Sequence, residues 1–342
     1  MYNDTAIVIL NFNGKNWLSK FIPTFIQYSE DIPIYVADNF SSDDSMEWLK
    51  VNFPSVKTIF LDQNYGFAEG YNVGLKDIPA DIYILLNSDV EVTNNWIEPI
   101  IEQFEQEPNT AAIQPKIKDY KQKNYFEYAG AAGGMLDYLG YAFCRGRIFN
   151  SLEEDENQYN NEADIQWASG AAMCIRSKLF HTFNGFDANF FAHMEEIDLC
   201  WRLRRAGFNI KYQPKSTIYH LGGASLKKVN PFKTFLNFRN ALLMCVKNMP
   251  YFQLLWFIPF RLILDGIAGL QMILKGEIQH CIAIIKAHLA FYKSINKILI
   301  EKEKQNKIIQ TFSIINVNKN YPKSILWLHF IHKINKFSDI KN

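Results

Sequence analysis

Two apolar runs of the kind that form buried strands end abruptly in short polar side chains. The run Ile82–Leu86 is followed by Asn87, Ser88 and Asp89 within ILLNSDVEV, and the run Ile32–Ala37 is followed by Asp38. In parallel sheets, ligands bind outside the carboxyl ends of the strands. Asp89 could therefore ligate a divalent cation beside a diphosphate, and Asp38 could accept a hydrogen bond from a nucleobase. Either acid could instead begin a turn or cap a helix.

A second group of acids stands at the start of a helix predicted over Met194–Ala206. Glu195, Glu196 and Asp198 place three carboxylates within four positions. Mutual repulsion would raise a pKa and suit one of them to general-base work. The alternative is a solvated first turn that the helix dipole stabilises. His220, after the short strand pattern TIY, could ligate a metal or be an ordinary satisfied histidine.

These residues depend for their positions on an alternation of strand and helix patterns between Thr5 and Gln114. Strand, helix, strand at this spacing predicts a mostly parallel α/β sheet with helices on both faces. Irregular loops are expected over Asn124–Ala163, and a strand followed by a helix over Ala168–Phe183. The predicted strands are Thr5–Leu10, Ile32–Ala37, Val56–Leu61, Ile82–Leu86 and Ala111–Pro115, and the predicted helices are Lys15–Gln27, Asp44–Val51, Phe67–Lys76 and Asn95–Glu105.

Glycine patterns exclude two common nucleotide-binding classes. No G-x-G-x-x-G follows the first strand and no G-x-x-x-x-G-K-[ST] occurs, so a dinucleotide-binding enzyme or a P-loop NTPase would lack its phosphate cradle. In GFAEGYNVG, Gly66, Gly70 and Gly74 are four residues apart and give a helix one smooth face for packing against a sheet. Gly66 could also be the hinge through which the preceding loop approaches a ligand.

The composition indicates a globular protein. Apolar residues make up 48% of the 342 residues and the net charge is +1, which excludes a disordered tail or a globally basic nucleic-acid binder. We therefore expect no nucleic-acid partner. No signal peptide is expected, because Met1–Asp4 leads directly into a strand pattern. Widely spaced cysteines without a C-x-x-C pair predict reduced core residues of a cytosolic protein; they are Cys144, Cys174, Cys200, Cys245 and Cys281.

The charge is distributed unevenly along the chain. Up to Asn230 there are 20 Lys and Arg against 30 Asp and Glu, whereas the remainder has 16 against 5. We interpret residues 1–230 as the catalytic or binding domain and residues 231–342 as a basic, apolar helical region.

Within that second region, Tyr251–Leu274 is long enough to cross a bilayer, but Pro259, Arg261 and Asp265 interrupt it. Arg261 and Asp265 are four apart and should pair on one helical face. We favour an amphipathic hairpin lying in the membrane interface. A packed helical subdomain and a true transmembrane span are the alternatives.

The order of the motifs resembles glycosyltransferase family 2, and in particular its rhamnosyltransferase-like branch. The similarity covers about Thr5 to Ser225, roughly two thirds of the chain. The motifs that carry it are AIVILNFNG, VADNFSSDDS, NYGFAEGYNVG, LLNSDVEV, YAGAAGGMLDYLGYAFCRGR, SGAAMCIRSKLF, NGFDANFFAHMEEIDLCWRLRRAG and IYHLGGAS. The resemblance implies the GT-A fold of nucleotide-diphospho-sugar transferases.

The resemblance also implies roles for the strand-end residues. Asp38 matches the acid that contacts the nucleotide base, with Leu10 and Phe12 beside the base and Gly66 in the donor loop. Asp89 matches the last acid of a D-x-D metal motif, whose first position is Asn87 here, with Ser88 between them. The site thus carries one negative charge fewer than the usual motif.

Further roles follow for the second half of the motif series. Glu196, or its neighbour Glu195, matches the catalytic base, and Asp198 and Arg202 match residues that orient this segment. His220 matches a histidine that completes the metal site. Arg145 and Arg147 match a loop near the donor diphosphate, where Arg can pair with phosphate oxygens.

The function that the resemblance implies is inverting glycosyl transfer from a nucleoside-diphosphate sugar with Mn²⁺ or Mg²⁺. An acceptor that is a glycan or a polyprenyl-diphosphate-linked glycan would bring the protein to the cytoplasmic face of the membrane, where the basic helices could dock. The same helices could instead form a homodimer interface. The chief alternative is a non-catalytic glycan-assembly scaffold.

Two other enzyme classes fit the sequence poorly. Nucleotidyl transfer would favour a Gly-rich, basic loop after the first strand, where LNFNGKNW has one Gly and one Lys. A processive synthase would carry Q-x-x-R-W and several uninterrupted spans, which the sequence lacks.

Overall fold

A computed structural model describes residues 5–29, 31–222, 230–312 and 319–340. The expectation about Met1–Asp4 and the last motif residues, Gly223–Ser225, lie outside the described residues.

The predicted strands and helices up to Gln114 are confirmed, with ends that shift by a few residues. Ile82–Leu86 is a strand with the predicted bounds. In the described residues the strands are β1 Thr5–Asn11, β2 Ile34–Asp38, β3 Lys57–Phe60, β4 Ile82–Leu86, β5 Val90–Val92, β6 Thr110–Asp119, β7 Gly134–Leu136, β8 Ala142–Cys144, β9 Arg147–Ile148, β10 Ser151–Leu152, β11 Ala163–Ile165, β12 Ala172–Arg176 and β13 Asn209–His220.

The helices of the first two thirds of the chain pack on this sheet, and those after Pro231 pack largely on one another. In the described residues they are α1 Lys15–Tyr28, α2 Ser45–Asn52, α3 Gly66–Gly74, α4 Glu98–Gln106, α5 Ser177–Thr182, α6 Glu195–Arg205, α7 Pro231–Asn248, α8 Tyr251–Leu274, α9 Ile278–Gln310 and α10 Ile325–Phe330, with 3₁₀ turns at Ala188–Phe190 and Phe337–Asp339.

The main sheet is mostly parallel on one side and mixed on the other, in the order β11-β13-β6-β12-β4-β1-β2-β3, with β5 on β13. Strands β4, β1, β2 and β3 are parallel, and the register places Asn11 opposite Asp38. Strand β12 runs antiparallel to β4 and β6. Helices cover both faces, which explains why β1 and β4 are apolar without alternation. Their alternate residues enter two separate cores, with Val8 in one and Ile9 in the other.

The expectation of irregular loops over Asn124–Ala163 is wrong in part. Strands β7 to β10 form a second, antiparallel sheet in the order β10-β9-β8-β7. Each strand has only two or three residues, too few for a period-two pattern to be read. Phe143 and Ile148 of this sheet pack against Ile325 of α10, far away in sequence.

The C-terminal helices make their main contacts between α7 and α9 and between α8 and α9, and α7 also contacts α6. The predicted pair between Arg261 and Asp265 is confirmed, with 2.7 Å between Arg261 Nε and Asp265 Oδ1. His288 of α9 lies 3.0 Å from the same carboxylate, so the buried charges face α9. In the described part of the chain, α8 is the one helix long and apolar enough to cross a membrane.

The described cysteines are free thiols, as expected. Cys144, Cys174, Cys200 and Cys245 are buried and Cys281 is half-buried.

Candidate active site

The ends of β1 and β2 are joined by a hydrogen-bond network centred on Asn11. Its Nδ2 donates to Asp38 Oδ1 at 3.0 Å and to the hydroxyls of Ser45 and Ser41 at 3.0 and 3.1 Å. The second Asp38 oxygen accepts from the Ser41 amide at 3.2 Å. Asp38 is therefore buried and fixed in position at the strand end.

Two aromatic side chains project from the loops that follow these strands. Phe12 is 51% exposed and Phe40 is 60% exposed. The Asn13 side chain accepts from the Ser42 amide at 2.7 Å and so joins the two loops. Phe40 has a backbone φ of 65°, a left-handed conformation that a bulky residue rarely adopts. Sequence reasoning missed Phe40; the one available signal is a large apolar residue in an otherwise polar turn, DNFSSDDS.

Gly70 and Gly74 of α3 pack closely against the sheet, as predicted, whereas Gly66 faces another segment. A Cβ at Gly70 would lie 2.9 Å from Leu10 Cδ2, and one at Gly74 would lie 3.0 Å from the Cβ of Ala37. Gly66 has a φ of 73°, and a Cβ there would lie 2.5 Å from the ring of Phe191. The start of α3 thus contacts both the half-buried Leu10 and the segment that precedes α6.

The residues after β4 meet the end of β13. Asp89 Oδ1 lies 3.2 Å from His220 Nε2, and Asn87 Nδ2 lies 3.4 Å from the same nitrogen. Ser88, half-buried, faces Gly14 at the start of α1. On the other side of the imidazole, Glu127 Oε2 lies 3.3 Å from His220 Nδ1. Sequence reasoning missed Glu127, which lies in a Gly-rich stretch without a strand or helix pattern.

In this cluster the His220 imidazole lies between two carboxylates, and each charge affects the pKa of the others. Burial lowers the pKa of His220, but Glu127 and Asp89 outweigh burial and raise that pKa to about 10. Burial raises the pKa of Asp89, yet the bond to His220 outweighs it and the net direction is downward. Asp89 and His220 are thus a buried ion pair in the absence of other ligands.

The same atoms are suitable ligands for a divalent cation, although they do not form a closed cage. Among the described residues, no three His, Cys, Asp or Glu are grouped to hold a metal ion. Asp89 Oδ1 and His220 Nε2 do converge. Phosphate-handling sites often hold Mg²⁺ through one or two carboxylates plus substrate phosphates. The pair therefore fits an ion that binds together with a diphosphate.

Two neighbouring carboxylates occupy the start of α6. Glu195 is buried, Glu196 is half-buried, and each has a buried oxygen, Oε2, without a hydrogen-bond partner among the described residues. Burial raises the pKa of both, and the charge of Glu196 raises that of Glu195 further. The residue before the helix, Met194, has a φ of 74°. A Cβ at Gly170 would lie 3.9 Å from Glu196 Cδ, so the residues just before β12 also border this site.

The third acid of the group, Asp198, points away from this environment and is fully paired. It accepts from Arg202 Nε at 2.8 Å, from Lys247 Nζ at 2.8 Å and from Asn248 Nδ2 at 2.9 Å. Arg202 in turn donates to the carbonyls of Phe183 and Gly185. These contacts anchor α6 to α7 and to the loop after α5.

Arg145 and Arg147 lie in and beside the second sheet. The guanidinium of Arg145 donates to the Ala132 carbonyl and stacks 5.0 Å from the ring of Tyr159. Arg147 is buried, donates to the Phe149 carbonyl and lies 4.5 Å from the ring of Tyr128. Both side chains therefore make internal contacts, and their role toward a diphosphate stays a prediction.

Similarity to solved structures identifies the class of fold. The chain aligns with a GalNAc transferase, GalNAc-T7, crystallised with UDP, GalNAc and Mn²⁺, at a TM-score of 0.54 and 16% identity, covering 71% of this chain and 47% of that one. It also aligns with a mannosyltransferase from Pyrobaculum calidifontis at a TM-score of 0.52 and 10% identity, covering 84% and 87%. The fold is the GT-A fold of glycosyltransferases.

The family follows from the sequence. The model for glycosyl transferase family 2 matches residues 6–176, so the chain belongs to this family and is a glycosyltransferase of glycan synthesis. It is 24% identical to N-acetylglucosaminyl-diphospho-decaprenol L-rhamnosyltransferase of Mycobacterium tuberculosis, over 63% of this chain and 75% of that one. It is 23% identical to a low-salt glycan biosynthesis hexosyltransferase of Haloferax volcanii, over 71% and 76%. It is 24% identical to a rhamnosyltransferase of Escherichia coli, over 63% and 82%. The resemblance stated from the motifs is thus confirmed.

Proposed function

We propose that the protein transfers a hexose or a rhamnose from a nucleoside-diphosphate donor to a hydroxyl of a lipid-linked glycan, with inversion at the anomeric carbon. The observation that carries this proposal is the pair of buried carboxylate oxygens at the start of α6, Glu195 Oε2 and Glu196 Oε2, that have no hydrogen-bond partner among the described residues. The donor-side residues at the ends of β1, β2 and β4 complete the proposed site. The relative from Mycobacterium tuberculosis, which acts on a diphospho-decaprenol substrate by its name, supports the acceptor class.

Glu196 is the catalytic base in this proposal. Its half-buried side chain can reach a substrate, whereas Glu195 is 3% exposed and is the less accessible of the two. A carboxylate that ionises near neutral pH can remove a proton from an acceptor hydroxyl as the oxygen attacks the anomeric carbon. The bond to the nucleoside diphosphate breaks on the opposite face, which inverts the configuration.

Asp89 and His220 would hold a Mn²⁺ or Mg²⁺ ion, which when bound stabilises the negative charge that develops on the departing diphosphate. Asn87 contributes an amide in place of a carboxylate, so the site offers one charge fewer for the ion. Binding of the ion competes with the proton on His220, because a histidine ligand must be neutral.

Phe12 and Phe40 form the wall of the base subsite in this proposal. Both exposed rings belong to the loops that follow β1 and β2, and an aromatic face stacks on any base without a hydrogen-bond code. Both Asp38 oxygens already accept hydrogen bonds from the protein. Each oxygen has a further lone pair for a base N–H. Leu10 packs against Gly70 of α3, and the Gly66 carbonyl accepts from Asn39 Nδ2 at 2.9 Å.

The C-terminal helices dock on the cytoplasmic membrane surface in this proposal, without crossing it. The outward side chains of α8 are large and apolar, as in Phe252, Leu255 and Leu274, which are 74%, 80% and 80% exposed. The charged residues of α8 point inward to α9. Lysines of α9 and the tail add positive charge, which suits anionic lipid.

The donor is tested by hydrolysis of UDP-, dTDP- and GDP-sugars by the purified protein, with and without Mn²⁺. We expect one nucleotide class to be hydrolysed, with metal-stimulated turnover and with the inverted anomer as the first product in early NMR spectra. A chain that binds none of these nucleotides under either condition would support the scaffold alternative.

Membrane docking is tested by flotation with vesicles of phosphatidylglycerol or phosphatidylcholine. We expect binding to the anionic vesicles, lost in Leu255→Asp with Leu274→Asp and retained in Val51→Asp, a control that is 81% exposed on α2. Light scattering without lipid distinguishes the homodimer, which the same double variant would dissociate.

A further inference from the structure

The segment that leads into the proposed base has an unusual backbone. Phe191, His193 and Met194 have φ values of 64°, 70° and 74°, all left-handed. Non-glycine residues rarely adopt this conformation, and three within four positions persist only when neighbouring groups hold them. The segment ends directly at Glu195 and Glu196, so its shape sets where α6 begins and where both carboxylates point.

One side of this segment is held by the donor half of the site. The Phe191 carbonyl accepts from the Phe67 amide at 2.8 Å and from the Ala68 amide at 3.1 Å. Those amides belong to the first turn of α3, whose positive-φ Gly66 allows the close contact.

The other side is held by one buried side chain of α7. Asn240 Nδ2 lies 3.0 Å from the Phe190 carbonyl, 2.9 Å from the Ala192 carbonyl and 2.8 Å from the His193 carbonyl. Asn240 is fully buried, and its Oδ1 accepts from Arg239 Nε at 2.9 Å. Arg239 Nη2 also donates to the carbonyls of Asn189 and Phe190, both at 3.0 Å.

We propose that Asn240 is a positioning residue for the base: it holds the left-handed segment Phe191–Met194 and thereby fixes Glu196. The inference rests on the proposed function, in which Glu196 is that base. Replacing the amide by an apolar group removes the bonds to the Ala192 and His193 carbonyls of the strained segment, while the Phe190 carbonyl keeps its bond from Arg239. The segment then relaxes, and water reaches a carboxylate that is otherwise desolvated.

The experiment compares Asn240→Ala with Thr234→Val, a control on α7 that removes a contact to His280 of α9 and does not touch the segment. The substrate is whichever of UDP-glucose, dTDP-rhamnose and GDP-mannose the wild type hydrolyses fastest. For Asn240→Ala we expect kcat to fall roughly 100-fold, as for a misplaced catalytic group, with KM nearly unchanged. We also expect the acid limb of the kcat profile to move to lower pH, because hydration lowers the pKa of Glu196. Thr234→Val should change neither.

A milder variant guards against loss of folding. Arg239→Met removes the bonds to Asn189 and Phe190 but leaves Asn240, so we expect an intermediate loss of kcat. Hydrogen exchange of residues 190–197 should accelerate in Asn240→Ala and not in Thr234→Val. Unchanged exchange, or a pH profile equal to that of the wild type, overturns the inference even if kcat falls. A wild type that binds and hydrolyses no sugar nucleotide overturns the proposed function instead, and the role of Asn240 toward a base with it.

Discussion

Two buried acidic clusters of this protein differ in one respect, the presence of a cationic partner. At the strand ends, Asp89 and Glu127 flank His220, and the pKa of Asp89 is lowered. At the start of α6, neither Glu195 nor Glu196 forms an ion pair with a described residue, and burial raises the pKa of both. The same low-dielectric surroundings therefore produce a permanent anion in one place and a proton acceptor in the other. The first suits charge binding and the second suits proton transfer.

The largest expected effect comes from removing the proposed base. Glu196→Gln keeps the size of the side chain but cannot accept a proton, so we expect kcat to fall by about 10³-fold. Nucleotide binding, measured by calorimetry, should be unchanged. Glu195→Gln is the matched control, for which we expect a smaller loss. A larger loss in Glu195→Gln than in Glu196→Gln would exchange the roles of the two acids.

Substitutions in the cluster around His220 should weaken metal and nucleotide binding. Asp89→Asn removes one ligand and the anion beside His220, and we expect Mn²⁺-dependent nucleotide affinity to fall at least tenfold. Glu127→Gln leaves both converging atoms in place but loosens the orientation of His220, and outer-shell changes of this kind typically cost about 10- to 100-fold in metal affinity. Electron paramagnetic resonance of bound Mn²⁺ measures both. Equal metal affinity in Glu127→Gln and the wild type would show that His220 needs no such support.

The clusters should also respond oppositely to pH. Burial raises the pKa of Glu196 to about 7, so kcat should rise about tenfold per pH unit below 7 and level off above it.

The pKa values also predict how stability depends on pH. The raised pKa of Glu196 adds to the free energy of unfolding below the ordinary Glu value, and this contribution is lost as pH rises through 7. Asp89, with a lowered pKa, contributes stability above the ordinary Asp value that is lost as pH falls through its folded pKa. Urea titrations at pH 5 and 8 measure this difference. Between pH 5 and pH 8 the free energy of unfolding should decrease less in Glu196→Gln than in the wild type. An equal decrease in both proteins would show that another group titrates.

The smallest expected effect concerns strain at the donor edge. Phe40 adopts a left-handed conformation that costs a side-chain residue roughly 1–2 kcal/mol, so Phe40→Gly should raise the free energy of unfolding by up to about 1 kcal/mol. If the ring stacks on the base, affinity for UDP or dTDP should fall several-fold, while affinity for inorganic pyrophosphate should stay the same. Phe60→Ala, an exposed aromatic on β3 without a left-handed backbone, is the control. If Phe40→Gly lost as much affinity for pyrophosphate as for the nucleotides, Phe40 would not contact the base.

Much of the fold could be predicted from local patterns. Strands β1 and β4 are buried on both faces, so uninterrupted apolar runs mark them, and polar residues mark their ends. The close packing of Gly70 and Gly74 on the sheet could be predicted because glycines four residues apart give a helix a smooth face. The sheet of β7 to β10 could not be predicted, because strands of two or three residues carry no periodicity and depend on packing against α10.

The candidate site, too, could be predicted from the sequence only in part. The amino-acid sequence by itself determined the family, the order of the strand-end motifs and the identity of the acids Asp38, Asp89, Glu195 and Glu196, because these are properties of short contiguous stretches. Only the tertiary structure decided which acids are paired. Glu127 reaches His220, and Asn240 reaches the segment before Glu196, across long intervals of sequence. A pKa depends on what surrounds a carboxylate in space, and no local pattern encodes neighbours that the chain brings together only on folding.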